Sequence, residues 1–170
     1  MTGPVSLGLL LLRFAVGVVF IAHGYNHIFG GGKIEGTARW FNSLGMRPGI
    51  LHAWVASLTE LGAGALLILG LLTPFAGAGV VGVMLVAWIT NHRKNGFFIF
   101  RPGEGYEYVM TLTFCGLLFG GTGGGKYSLD HAFGIFDPPG WPTAIIAMLL
   151  GIVGAAGLLI TFWRPEKVRA

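Results

Sequence analysis

Residues 51–72, LHAWVASLTELGAGALLILGLL, form an apolar run of membrane-spanning length with one carboxylate, Glu60, close to its middle. An ionised acid at the centre of a bilayer helix costs about 2.5–3.5 kcal/mol even on a lenient insertion scale. Any fold that contains this run must therefore bring a partner, a proton or water to Glu60. Composition sets the surrounding solvent: 54% of residues are hydrophobic and only 11% are charged, far from soluble averages. The chain reads as an integral membrane protein whose first partner is the lipid bilayer. Glycine, 30 of 170 residues, suits helices that approach closely where no hydrophobic force drives them together. The eleven Lys and Arg residues fall in short loop clusters with no basic stripe, which fits membrane topology and argues against a nucleic-acid partner. Cys115 is the sole cysteine, so thiol chemistry needs a second molecule.

In chain order, residues 7–29 give a first span with neither the basic start nor the small-residue cleavage pattern of a signal peptide, and it is expected to remain in the mature protein. Arg13, His23 and His27 fall within about 80° of one another at 100° per residue, so one helix face carries all three. Residues 30–49 connect to the second span, and their amphipathic middle, 33–47, predicts a short interfacial helix. The turn at 72–75, with Pro74 at a helix start, makes the second and third spans an antiparallel hairpin. The third span covers 75–90, with His92 just past its end. Residues 105–119, which carry Glu107, form a fourth segment of about fifteen apolar residues that either crosses or re-enters. Residues 141–163, bracketed by tryptophans, form a further span, and 164–170 a basic tail. The whole of 1–170 reads as one membrane domain.

With five spans, one side receives Lys33, Arg39, Arg47, Arg93, Lys94, Arg101, Arg164, Lys167 and Arg169 and the other only Lys126, nine to one. If 105–119 failed to cross, the division would be seven to three. The positive-inside rule favours five spans, with the N terminus outside and the C terminus cytoplasmic. Counting about 1.5 Å per residue, His23 and Glu60 lie at compatible depths, and His27, His52, His92 and Glu107 collect towards the same cytoplasmic end. A column of imidazoles and carboxylates could carry protons, hold a quinone head group or, more speculatively, bind a metal. No compact spacing such as His-Glu-x-x-His is present, and no metal is predicted. Arg13 approaches from the opposite side, where it reaches towards Glu60 or snorkels outward. A purely structural polar knot of Glu60, Arg13 and His23 is the competing account.

The pieces HGYNHIFG at 23–30, GTARWFNSLG at 36–45, LTELGAGALLILG at 58–70, LTPFAG at 72–77, NHRKNGFF at 91–98, GYEY at 105–108 and GKYSLD at 125–130 together resemble the DoxX family of small bacterial membrane proteins. The resemblance covers most of 7–130. It implies an all-α membrane protein with a four-helix transmembrane core, to which 141–163 adds a fifth, C-terminal helix, in the bacterial plasma membrane. Some relatives are linked to thiosulfate- or thiol-dependent reduction of membrane quinone, generally with another protein. The family's polar positions fall on His23, Glu60, His92, Asn95 and Glu107. Where many relatives carry a Lys after the first-span His-Gly, this chain has His27, which replaces a fixed positive charge with an imidazole.

The leading expectation is a membrane subunit of a quinone-linked oxidoreductase system, with Glu60, His23, His92 and Glu107 in the chemistry and His23, His27, Glu60, Asn95 and Arg13 around the quinone. A protein partner on the cytoplasmic side is expected, and assembly as a homo- or hetero-oligomer is left open. The rivals are a non-catalytic scaffold that recruits cytoplasmic redox enzymes through its basic loops, and a small-solute or proton transporter. The transporter is disfavoured by the lack of broken helices and of a clear inverted repeat.

Overall fold

In the computed structural model, which describes residues 2–165, the chain is all-helical. It forms α1 (Gly3–Phe29), α2 (Lys33–Ser43), α3 (Gly49–Leu69), α4 (Thr73–Ala87), α5 (Glu107–Thr122), α6 (Leu129–Phe133) and α7 (Trp141–Phe162). A π turn, Trp88–His92, continues α4 without a break. Four helices are long and apolar enough to cross a membrane: α1, α3, α4 with its π turn, and α7. The expected fifth, C-terminal span is thus present as α7, whereas the expected fourth segment, 105–119, corresponds to α5, which packs against α4 and α7. Its 16 residues rise about 24 Å, and it falls short of the length of the other four.

Each long helix starts and stops for a local reason. α3 follows Pro48 in an extended conformation and ends on Gly70, whose left-handed backbone (φ +63°) lets Leu71 N–H reach the Leu66 carbonyl at 2.9 Å and Gly70 N–H the Leu67 carbonyl at 3.2 Å. Only two residues separate that cap from Thr73, so α3 and α4 fold into the expected hairpin. α1 lies antiparallel to α3, and Gly17 and Gly64 are what allow the approach. A methyl group on Gly17 would lie 2.8 Å from the Gly64 carbonyl, and one on Gly64 2.7 Å from the Gly17 carbonyl.

Two apolar clusters hold the bundle. Val16 and Phe20 of α1 pack with Leu67 of α3, Val80 of α4 and Phe119 of α5 at its centre. Phe41 and Ala38 of α2 pack with Met46, Ala53 and Leu159, seating α2 and α7 against the start of α3. The expected short helix between the first two spans is therefore present, with one face buried against α3. The end of α7 is also tied there: Trp163 Nε1 donates to the Leu44 carbonyl at 3.0 Å, Arg164 N–H bonds the Gly45 carbonyl at 2.8 Å, and the Arg93 guanidinium sits 5.5 Å above the Trp163 ring. Lys33, Arg39, Arg47, Arg93, Lys94, Arg101 and Arg164 all belong to α2 and the connecting segments at this end, whereas Lys126 lies at the other. Lys167 and Arg169 of the expected basic tail lie outside the described residues.

The connection between α5 and α7 folds over the α3–α4 turn. Ser128 Oγ accepts from His131 N–H to start α6, and Asp130 reaches back to the turn.

Candidate functional site

Between α1, α3, α4 with its π turn, α5 and α7 lies a continuous crevice of about 560 Å³, within the range of small-molecule sites. Most of its wall is apolar, and its polar groups gather at one end. There His27 Nδ1 lies 3.1 Å from Glu60 Oε2. His27 is on the last turn of α1, yet it reaches Glu60 about three turns into α3. Side chains lean towards the N terminus of their own helix, so in an antiparallel pair these two lean towards each other. Glu60 is 5% exposed. Neither atom makes a hydrogen bond, so the pair is an electrostatic contact. Proximity supplies electrostatic attraction and leaves directional bonding capacity unused.

Three further histidines face the same space. His52, 2% exposed, rests between Phe41 (6.2 Å between ring centres) and Phe162 (5.1 Å), with the Arg47 backbone beside its ring. The His23 ring stacks on Tyr108 at 6.3 Å and an interplanar angle of 27°. His92 Nδ1 lies 2.9 Å from the Glu104 carbonyl. Because a carbonyl only accepts, Nδ1 carries the hydrogen, and Nε2 is left to accept from the Asn91 amide at 3.3 Å. The π turn places these groups: its wider winding brings the consecutive residues Thr90, Asn91 and His92 to the crevice wall.

The structure therefore brings His23, His27, Glu60, His52 and His92 together, as the depth argument expected, and it seats three predicted residues elsewhere. Arg13, fully buried, does not contact Glu60. Its guanidinium donates to the Leu67 carbonyl at 2.6 Å and the Tyr127 carbonyl at 2.7 Å, with the Ile68 carbonyl at 3.5 Å. Leu67 lies seven residues beyond Glu60, about 10 Å along α3. The unpaired carbonyls at the C-terminal end of a helix attract a cation, and Arg13 takes that place instead of snorkelling. Glu107 accepts the Ile99 N–H at 2.9 Å, and Asn95 donates to the carbonyls of Asn91, Gly103 and Glu104. Both residues shape the 93–106 connection without lining the crevice.

Sequence reasoning missed Tyr108, Asn91 and Thr59, all on the crevice wall. Tyr108 stands next to Glu107 in GYEY, and neighbouring helix residues point about 100° apart. Choosing between them required the facing of α5. It also missed Asp130, whose carboxylate accepts Leu72 N–H at 2.7 Å, Thr73 N–H at 2.9 Å and the Thr73 hydroxyl at 2.6 Å, capping α4 from a distant part of the chain. Among the described residues no group of three or more His, Cys, Asp or Glu is placed to hold a metal.

Comparison with known proteins places this geometry in a family. The chain is 32% identical over 108 residues to a protein of Bacillus subtilis (strain 168) named "Putative oxidoreductase CatD", covering 64% of this chain and 75% of that one. No solved structure matches it. The model of the DoxX family matches residues 8–93, half of the chain and the part that carries His23, His27, Glu60 and His92. By that match the protein belongs to the DoxX family.

Proposed function

We propose that this chain is the membrane subunit of a quinone-linked oxidoreductase system, with the quinone head group at the His27–Glu60 end of the crevice. The carrying observation is that pair: two buried polar atoms 3.1 Å apart, neither hydrogen-bonded, at the polar end of an apolar crevice. A buried polar atom left unpaired costs about 1–3 kcal/mol, which a ligand with matching groups recovers. A quinone carbonyl accepts from the imidazole, and the hydroxyl of the reduced form donates to the carboxylate, so the pair suits both redox states. The oxidoreductase name of the Bacillus relative supports the same reading.

Reduction of a quinone to a quinol takes up two electrons and two protons. Two thiols becoming a disulfide release both, and Cys115 is a single thiol, so a separate sulfur donor supplies the electrons. Glu60 and His27 pass the protons, with His52 and His92 as stations towards the basic end of the bundle. By the positive-inside rule that end is cytoplasmic. In a Cys115→Ser background, a cysteine at Lys126 is then labelled from outside, whereas one at Ser43 is labelled only after the inner face is exposed. The reverse pattern overturns the orientation.

The function is tested by titrating ubiquinone and menaquinone analogues into the protein in nanodiscs while following quenching of Trp40, which lines the crevice. Saturable quenching is expected, lost in Trp40→Phe and weakened about tenfold by Glu60→Gln or His27→Ala. No saturable binding of either analogue sinks the proposal. One observation favours a scaffold as a second reading: Phe98 and Phe100 are exposed beside Arg93, Lys94 and Arg101, a surface suited to a docked enzyme. Under that reading, neutralising those three residues abolishes partner recovery while Glu60→Gln leaves function intact.

A further inference from the structure

Away from His27 and Glu60 the same crevice continues into an apolar groove. Helices α3 and α7 both pack on α4 and meet each other at the His52–Phe162 end, so the space between them further along is floored by α4. Gly79, Gly82 and Val83 form part of that floor. The rim carries apolar side chains that nothing covers: Leu150 is 50% exposed and Phe75 44%. At Gly154, on the α7 side, an added methyl group would meet no atom within 4 Å. All four long apolar helices surround or adjoin this space, so the uncovered rim faces the hydrocarbon of the bilayer and not water. The small-residue floor does not stand alone as a sign of a ligand. The unbonded Oε2 of Glu60, on a side chain about nineteen-twentieths buried, opens into the same cavity.

We infer that the crevice takes a polyprenyl quinone that enters sideways from the bilayer, its head group at His27 and Glu60 and its long isoprenoid tail lying over the glycine floor between α3 and α7. The inference rests on the quinone reading above and names the substrate class within it. One polar end joined to a long apolar trough that opens into lipid matches a molecule with a redox head and a chain too long to be enclosed. A tailless, water-soluble quinone would leave the trough to lipid chains. Moving a tail from lipid into an apolar groove gains little by transfer, because lipid is already apolar. Selection for the tail comes instead from dispersion contact of a methyl-branched chain with the floor, and from holding the head at the depth of Glu60.

The test compares a long-tailed menaquinone with tailless menadione at equal mole fraction in nanodisc lipid. Wild-type protein is expected to bind the tailed form about tenfold tighter. Gly154→Leu places a side chain in the trough where no atom blocks it, and it is expected to remove the preference while leaving menadione binding unchanged. Gly157→Leu, also in open space on α7 but off the crevice wall, is expected to behave as wild type. Failure of both quinones to bind overturns the quinone reading itself. Equal binding of the two by wild type, loss of both in Gly154→Leu, or displacement of the tailed form by added phospholipid overturns the tail groove alone. A menaquinone with a photoreactive tail gives a check that needs no variant: cross-links on residues 79–83 and 150–158 are expected, and cross-links confined to other helices reject the inference.

Discussion

The two ends of α3 solve the problem of buried charge in opposite ways. At its C-terminal end, Arg13 donates to the carbonyls of Leu67 and Ile68 and reaches Tyr127, while Asp130 collects three donors from Leu72 and Thr73. Most polar atoms there are used, although Arg13 Nε and the buried Ser6 Oγ nearby are left unbonded. Towards the N-terminal half, Glu60 and His27 are equally hidden from solvent or nearly so, yet beyond their ion pair with each other these atoms make no hydrogen bond, and they face a cavity. Burial alone does not distinguish structural charge from working charge. Satisfaction does: a cluster whose bonds are filled within the chain holds the fold, and one with bonds to spare is free to meet a ligand.

The comparison breaks most readily at Arg13. Arg13→Leu removes the guanidinium that bridges the end of α3 to Tyr127 and deprives Asp130 of its nearby cation, so a stability loss of about 3–5 kcal/mol is expected from thermal unfolding in detergent. An unchanged melting temperature would show that this end does not hold the fold. Asp130→Asn keeps one acceptor of two, and a loss of about 1.5–3 kcal/mol is expected by the same measurement. Combined with Arg13→Leu its effect should fall short of the sum, since both act on one cluster. At the other end, Glu60→Gln is expected to change stability by less than about 1 kcal/mol while quinone binding falls. A large destabilisation there would make His27–Glu60 a second structural clamp and erase the distinction. The smallest effect belongs to His52→Phe, because an aromatic ring between Phe41 and Phe162 removes two buried ring nitrogens at similar volume. A change within about 1 kcal/mol of neutral, tending to stabilise, is expected.

The helices were largely legible because their signals are local. The apolar run at 51–72 became Gly49–Leu69, displaced only by the Gly70 cap, and the tryptophan-bracketed run at 141–163 became Trp141–Phe162. The gathering of His23, His27, Glu60, His52 and His92 was legible too, since depth along antiparallel spans follows from counting residues. What could not be read was which face each helix turns to its neighbour. His27 rather than His23 meets Glu60, and Tyr108 rather than Glu107 meets the crevice, because one residue's rotation decides each case. Arg13 was misjudged for another reason: its partners are backbone carbonyls, which leave no mark in side-chain sequence. The π turn at Trp88–His92 likewise has no pattern that separates it from the α-helix it extends.

The family match stops at residue 93, yet the crevice does not: Tyr108 and Val109 from α5 and Leu150, Gly154 and Leu158 from α7 complete its walls. The crevice thus combines the His27–Glu60 end, which lies within the family match, with walls supplied by later helices. Under the proposed reading, the head-group end and the walls around it are therefore set by different parts of the chain. Exchanging α7 between relatives is the natural way to rewrite selectivity, because it remodels the doorway and leaves the hearth in place.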